Sequence, residues 1–233
     1  MPFKRIASKL GVSVATAHAW AKDIEITAEQ LHRNLYGPRG PQNPDHIARR
    51  AAAVAATHRQ RRREYQADGR RRAREGDPLH MAGCMLYWAE GSKERNGLIF
   101  CNSDRHMVRF MRGFLTTCFG LEPDRFTVRL NVYTSNGISL REIEDHWLWE
   151  LGLPRSCLRA HCLNHFPTSS SGKKRKKLPY GVCTLRVRKA THIVQHIYGA
   201  IQEYGHFEEP RWLDGPKKTY KPRSARRQPE SAE

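Results

Sequence analysis

The sequence predicts an α+β protein, and three observations predict it. Residues 1–24 hold two short runs at helical spacing, broken by Gly11. A Pro/Gly-rich break at 37–44 is followed by a long Arg-rich run, also at helical spacing. Residues 79–205 alternate between a 3.6-residue and a 2-residue apolar period, the mark of helices interleaved with half-buried strands. The predicted organisation is a helical hairpin at 1–24, a basic helical linker at 25–78, an α/β domain at 79–205 and a disordered tail at 206–233. The chain has 233 residues and a mean hydropathy of −0.73. No stretch reaches the roughly 18 to 20 apolar residues of a membrane span, and MPFKRIASKL lacks a secretory apolar run. A cytoplasmic protein with no membrane partner is expected.

In the first segment Ile6, Ala7 and Leu10 face inward from a short helix. Gly11 supplies a turn where positive φ costs little, and Ser13 caps a second helix over Val14 to Lys22. Val12, Ala17 and Trp20 return to face Ile6 and Leu10. In the second segment Asp45 caps a helix from His46 to about Glu75, with Gly69 as a point of interruption. Ile47, Ala51, Val54 and Ala55 form a short apolar stripe; the rest is arginine. Two readings of that run stand together: a linker that tracks phosphates, or a solvated helical face.

The third segment begins with an apolar helix over 79–90 that ends at Gly91. A strand spans Gly97 to Asn102. Asn102-Ser103-Asp104 opens a helix over 105–119 that buries Met107, Val108, Phe110, Met111, Phe114, Leu115 and Cys118 and stops at Gly120. From Arg125 to Tyr133, Phe126, Val128, Leu130 and Val132 alternate with Arg125, Thr127, Arg129 and Asn131, giving a strand with a cationic outer face. Ser139 caps a helix to Leu151. Strands follow at 157–166 and 180–189, with a basic loop between them, and a last helix covers 191–204.

Charge supplies the first functional constraint. The net charge is +18 and the isoelectric point 10.1, the footprint of a polyanion binder. Residues 1–78 carry 16 basic and 8 acidic side chains; residues 79–205 carry 18 and 10. Each part is therefore +8, which favours a nucleic acid engaged by both. The six cysteines lie mostly in apolar segments and read as buried thiols of a reducing compartment. Cys157, His161, Cys162 and His165 raise the question of zinc, but a strand there puts Cys157 and His161 on one face and Cys162 on the other.

Two resemblances sharpen this. Residues 5–20 resemble the helix-turn-helix pattern IAxxLGVSxxTxxxW, whose second helix lies in the major groove. That likeness implies DNA contacts by Ser13, Thr16, His18 and Lys22. Leu86-Tyr87-Trp88-Ala89-Glu90-Gly91 resembles the end of the LAGLIDADG motif, and the elements that follow are similar in order to that fold. The resemblance implies a single LAGLIDADG-like αββαββα domain, with the helix near 140–151 and the next strand as an insertion. It also implies that the sheet lies on DNA through Arg125, Arg129, Arg186 and Arg188, with Lys173, Lys174, Arg175, Lys176 and Lys177 reaching further phosphates. In LAGLIDADG nucleases the last acid of each of two motifs binds Mg²⁺. Glu90 is the matching acid, with Lys93 just past the turn. Only one motif is present, so Mg²⁺-dependent catalysis requires a homodimer. Met85 stands where close helix pairing takes a small residue.

The sequence therefore points to a cytoplasmic, nucleoid-associated protein that binds double-stranded DNA at specific sites, as a regulator or, alternatively, as a homodimeric Mg²⁺-dependent nuclease. RNA binding is less favoured, because the aromatics occupy inward positions instead of a stacking face.

Overall fold

The computed structural model describes residues 3–38, 40–133, 137–164 and 178–214. Contacts divide the chain into Met1–Thr57 and His58–Glu233. Among the described residues no helix is long and apolar enough to cross a membrane.

In the first unit α1 (Phe3–Leu10) and α2 (Val14–Trp20) pack through Ala7 and Ala17, both buried. Gly11 makes the turn at φ 64°. Ser13 is the N-cap of α2, accepting from the Thr16 backbone at 3.0 Å. Three expectations need correction. The second helix ends at Trp20, two residues before Lys22, and Leu10 and Trp20 are 59% and 63% exposed instead of inward. A further helix, α3 (Ala28–Tyr36), stands where none was expected. Thr27 and Gln30 close a capping box at its start, a legible signal, but α3 buries no residue.

The helix α4 (Pro44–Arg74) begins in this unit and ends in the other. Its first turn is capped by Asn43, whose side chain accepts from the His46 backbone at 3.1 Å; Asp45 lies inside the helix. Gly69 does not interrupt it. A Cβ at Gly69 would collide with the His196 carbonyl, and one at Gly199 with the Gln66 carbonyl. The two glycines let α4 cross α8 (Thr191–Gly205) backbone to backbone, the steric logic by which small residues permit close helix approach.

The second unit is α+β. After α4 come α5 (Pro78–Glu90), β1 (Leu98–Asn102), α6 (Arg105–Phe119), β2 (Phe126–Val132), α7 (Leu140–Leu151), β3 (Cys162–Leu163), β4 (Val182–Val187), α8 and α9 (Pro210–Asp214). The four-stranded sheet has the order β1-β4-β2-β3. β4 is antiparallel to β1 and to β2, whereas β3 is parallel to β2. Phe100, Leu185, Val128, Leu130 and their in-phase neighbours face the core under α5, α6 and α8. Asp104 and Ser139 cap α6 and α7 as expected, and Gly120 and Gly152 end them in the left-handed conformation.

Several expectations change here. Phe110 is 39% exposed, and Met107 and Cys118 are only half-buried. Residues 157–166 do not form one strand. Arg155–Cys157 is a 3-10 turn, Leu158 bridges Val128, and only Cys162–Leu163 joins the sheet. The first strand of the expected ββ pair after α5 is a single bridge, Gly91 to Phe100. Residues 206–214 are not a free tail: Trp212 is buried and stacks on Tyr198 at 4.6 Å, and Phe207 packs against the core. Residues 165–177, the basic loop included, and 215–233 lie outside the described residues. Of the six cysteines only Cys84, Cys157 and Cys183 are buried, and Cys101 is exposed.

The α4–α8 crossing is testable. Gly69→Ala or Gly199→Ala should cost about 1–3 kcal/mol in denaturant unfolding, because neither backbone can yield. Gly113→Ala, inside α6 with nothing within 4 Å of the added carbon, should instead stabilise by about 0.5–1 kcal/mol. Wild-type stability in Gly69→Ala would refute the close crossing.

Candidate nucleic-acid interface

Strand alternation sends the remaining side chains of β1, β4 and β2 to the face away from the helices. Register aligns them in rows: Ile99, Arg186 and Thr127; then Cys101, Thr184 and Arg129; then Val182 and Asn131 beside Cys162. The rows floor an open basin of about 440 Å³, which Arg159 also lines. Arg129, Arg159 and Arg186 are exposed, and among the described residues none of the three forms an ion pair. The lining holds no carboxylate. Arg129 donates to Cys162 Sγ at 2.8 Å, and Arg159 to the carbonyls of Ser156 and Leu158 at 2.9 and 2.6 Å. These contacts orient the guanidiniums and leave their charge uncompensated.

Arg159 is absent from the expected contacts. Its cationic character was plain, but its place depends on a hydrogen bond from its backbone to the Val128 carbonyl, 2.9 Å, a pairing that the uneven pattern of 157–166 concealed. Arg125 and Arg188 sit at one end of the sheet. The Arg125 guanidinium donates to the Arg188 carbonyl at 2.9 Å, and Arg188 to the Asp124 carbonyl at 2.5 Å. They fasten the β2 and β4 ends together, whereas Arg129 and Arg186 stand over the basin.

Most arginines of α4 are not free for phosphate. Arg59 pairs with Asp214, Arg70 with Glu208, Arg72 with Asp77 and Arg74 with Glu203, at 2.5–2.8 Å. Arg62 is buried and donates to the Leu213 carbonyl at 2.8 Å. The C-terminal half of α4 is therefore docked on the second unit along one side, while Arg61 and Arg63 on its other side are exposed.

In the first unit Ser13 spends its side chain on the cap and on Thr16 Oγ1, 2.8 Å away. Thr16 is half-buried, while His18 is exposed with its ring 5.0 Å from Phe3. Lys22 is exposed in the turn after α2.

Glu90 is exposed at the end of α5, with Asn102 Nδ2 3.4 Å from its carboxylate. Lys93 is engaged by the helix end. Its ammonium donates to the carbonyls of Trp88 and Gly91 at 2.6 and 2.8 Å, closing the α5 C-terminus, and burial lowers its pKa. Mg²⁺ is held by several oxygen ligands, commonly one or two carboxylates together with water and substrate phosphate. Among the described residues no three His, Cys, Asp or Glu side chains converge as for a metal. At this position the described residues of one chain offer Glu90 and the Asn102 amide. The residues considered for zinc are drawn apart. Cys157 donates to the Pro123 carbonyl, His161 bridges the Leu130 backbone and Glu144, and Cys162 meets Arg129. His165 lies outside the described residues.

Compared with models of known families, with characterised proteins and with solved structures, the chain matches none.

The position of Lys93 gives a direct test. Lys93→Met should cost about 1–2 kcal/mol in urea unfolding, since it leaves helix-end carbonyls without a charged donor. Unchanged stability with weakened DNA binding would instead return Lys93 to the phosphate.

Proposed function

We propose that this chain is a site-specific double-stranded-DNA-binding regulator. The α1–α2 pair serves as a helix-turn-helix that reads one stretch of major groove, and the open face of the β1-β4-β2-β3 sheet lies as a LAGLIDADG-like saddle on another. One observation carries the reading: Arg129, Arg159 and Arg186 stand together over a basin whose lining, among the described residues, holds no carboxylate, while Arg59, Arg70, Arg71, Arg72 and Arg74 of α4 are matched to acids. A like-charged open surface of this kind favours a polyanion and repels its own sign. The basin offers no exposed aromatic for stacking unpaired bases, which favours duplex over single strands. The setting would be the nucleoid.

Within this reading the two units divide the labour. Sheet arginines meet phosphates and contribute affinity that is blind to sequence. His18 and Thr16 lie where a recognition helix meets base edges, each such contact being worth about 1–3 kcal/mol against the wrong base. The alternative, a Mg²⁺-dependent homodimeric nuclease, rests on Glu90 at the exposed end of α5.

Binding to duplexes selected from random sequence, followed against salt, tests both. Arg129→Ala with Arg186→Ala should weaken binding to every sequence alike and lower the salt slope by about 2, since each phosphate contact contributes about 0.9. Thr16→Ala with His18→Ala should change the preferred site and leave the slope nearly intact. With Mg²⁺ present, the wild type should leave its site uncut. Cutting by the wild type that disappears in Glu90→Gln would make the protein the nuclease, and unaltered affinity in the double-arginine variant would remove the sheet from the interface.

A further inference from the structure

On the far side of the core, α4, α5 and α8 meet at a chain of four hydrogen-bonding groups. His196 Nδ1 lies 2.9 Å from Asp68 Oδ2. The two imidazoles face each other, His196 Nε2 to His80 Nε2, at 3.0 Å. His80 Nδ1 lies 2.9 Å from the Tyr204 hydroxyl. His80 is 1% exposed. A cavity of about 390 Å³ lined by Asp68, His80, Cys118, His192 and His196 borders the pair, so protons reach it from solvent.

We infer that Asp68, His196, His80 and Tyr204 form a proton-operated latch that holds α4 on α5 and α8. Proton counting gives the mechanism. Three hydrogen bonds need three protons. With both imidazoles neutral and Asp68 ionised, one arrangement fills all three: Tyr204 donates to His80 Nδ1, His80 Nε2–H to His196 Nε2, and His196 Nδ1–H to Asp68. One added proton goes to His196, beside the carboxylate. His196 Nε2–H then donates to His80 Nε2, the His80 proton moves to Nδ1, and the Tyr204 hydroxyl becomes acceptor. All three bonds survive, with two of them reversed. A second proton puts N–H groups on both facing Nε2 atoms, and the central bond is lost between two cations.

The surrounding groups fit this sequence. Burial, then the charge of His196, pushes His80 down to about 4. Burial also lowers His196, against the pull of Asp68. Burial works against the Asp68 carboxylate, but hydrogen bonds from Arg71 and His196 outweigh it and hold it below the carboxylate range. Arg71 also pairs with Glu75, and Arg72 with Glu75 and Asp77, so the α4 cations are largely compensated. Cys84 Sγ, 3.7 Å from His80 Nε2, is pushed far up by burial, and Cys118 is raised too. Burial raises Tyr204 to about 12 and lowers His192. Of the four latch groups, the two imidazoles are the ones that change charge between pH 7 and 4.

The sign follows from linkage. A histidine whose folded pKa is depressed binds fewer protons folded than unfolded, so its stabilising effect is present above about 6.5 and is lost as pH falls toward the folded value. The latch is closed at neutral pH and opens toward pH 4. Because Asp68 lies on α4 and its partners on α5 and α8, opening loosens the docking of α4 within the second unit.

The full-length protein supplies the test through imidazole ¹⁵N spectra and amide exchange between pH 7.5 and 4.5. The His80 proton should move from Nε2 to Nδ1 as the first proton enters, and protection at Gln66, Gly69 and Ala73 should fall by about tenfold from pH 6.5 to 5, beyond the intrinsic pH effect. In Asp68→Asn the first protonation should shift to lower pH, with the tautomer change displaced alongside it. Arg74→Gln, which breaks a different α4–α8 contact, should reduce protection at every pH and leave the tautomer change in place. The latch is overturned by independent titration of the two histidines, or by flat protection across this range. It is overturned as well by stoichiometric Zn²⁺ capture at both Nε2 atoms, which would make the pair a metal site.

Discussion

The second unit depends on the backbone-to-backbone crossing of α4 and α8 at Gly69 and Gly199. Any side chain at either position would part the helices, and what lies around the crossing needs them close. Gln66 reaches Gln195 at 2.7 Å, and Gln195 in turn donates to the carbonyls of Arg95 and Trp212 at 2.7 and 2.8 Å. These amides are buried, so each unmade bond would cost the desolvation of its group. One contact between helices thus fixes α9, the turn before β1 and the seat of Trp212 on Tyr198. It also places Asp68 within reach of His196.

The same docking sorts the positive charge. Forty-one basic residues against 23 acidic ones give no indication of which cations are available to a partner. Folding spends the α4 arginines on Glu203, Glu208 and Asp214, groups far along the chain, and leaves the sheet arginines unmatched. Compensated surface pairs contribute little to stability, but they remove charge from any long-range field. The three sheet arginines stand together over one basin with no acid in its described lining, which is why the basin, and not the arginine-rich helix, carries the functional proposal.

How much of this was legible follows from the range of the interactions involved. Asp104 and Gly120 around α6, and Ser139 and Gly152 around α7, are local signals, and both helices fall where those residues place them. The alternation of β2 also survives, because one face is buried and the other is not. Thr27 and Gln30 signalled α3 as clearly, yet α3 has no apolar face on a core, so periodicity passed over it. Residues 157–163 and 206–214 depart from the sequence pattern for the opposite reason. Leu158 and Trp212 take their conformation from partners about 30 and 14 residues away, Val128 and Tyr198, and no local pattern encodes such a pairing. Gly69 looked like a helix breaker because a glycine needed for close approach reads the same in one dimension. On the candidate site, Arg129 was legible from the alternation of β2 and Arg186 only through the resemblance, whereas Arg159 was legible from neither.

The choice between regulator and nuclease then turns on the outward side of α5. Glu90 is a single acid, so a shared phosphate requires two copies of this helix side by side. The side chains that such a pair would bring together are Met81, Ala82, Met85, Trp88 and Ala89, of which Met81 and Trp88 are 44% and 41% exposed. Helices whose seams carry large side chains pack with axes about 8–10 Å apart; closer approach needs small residues, as at Gly69 and Gly199 on the other side of the domain. Met85 is half-buried against the core and Trp88 stacks on Phe207 at 5.3 Å, so neither can fold away without uncovering apolar surface elsewhere. A fold that packs helices to glycine contact at Gly69 and Gly199 sets methionine and tryptophan beside Glu90, and that contrast is what weighs the proposed regulator against the alternative of two carboxylates converging on one phosphate.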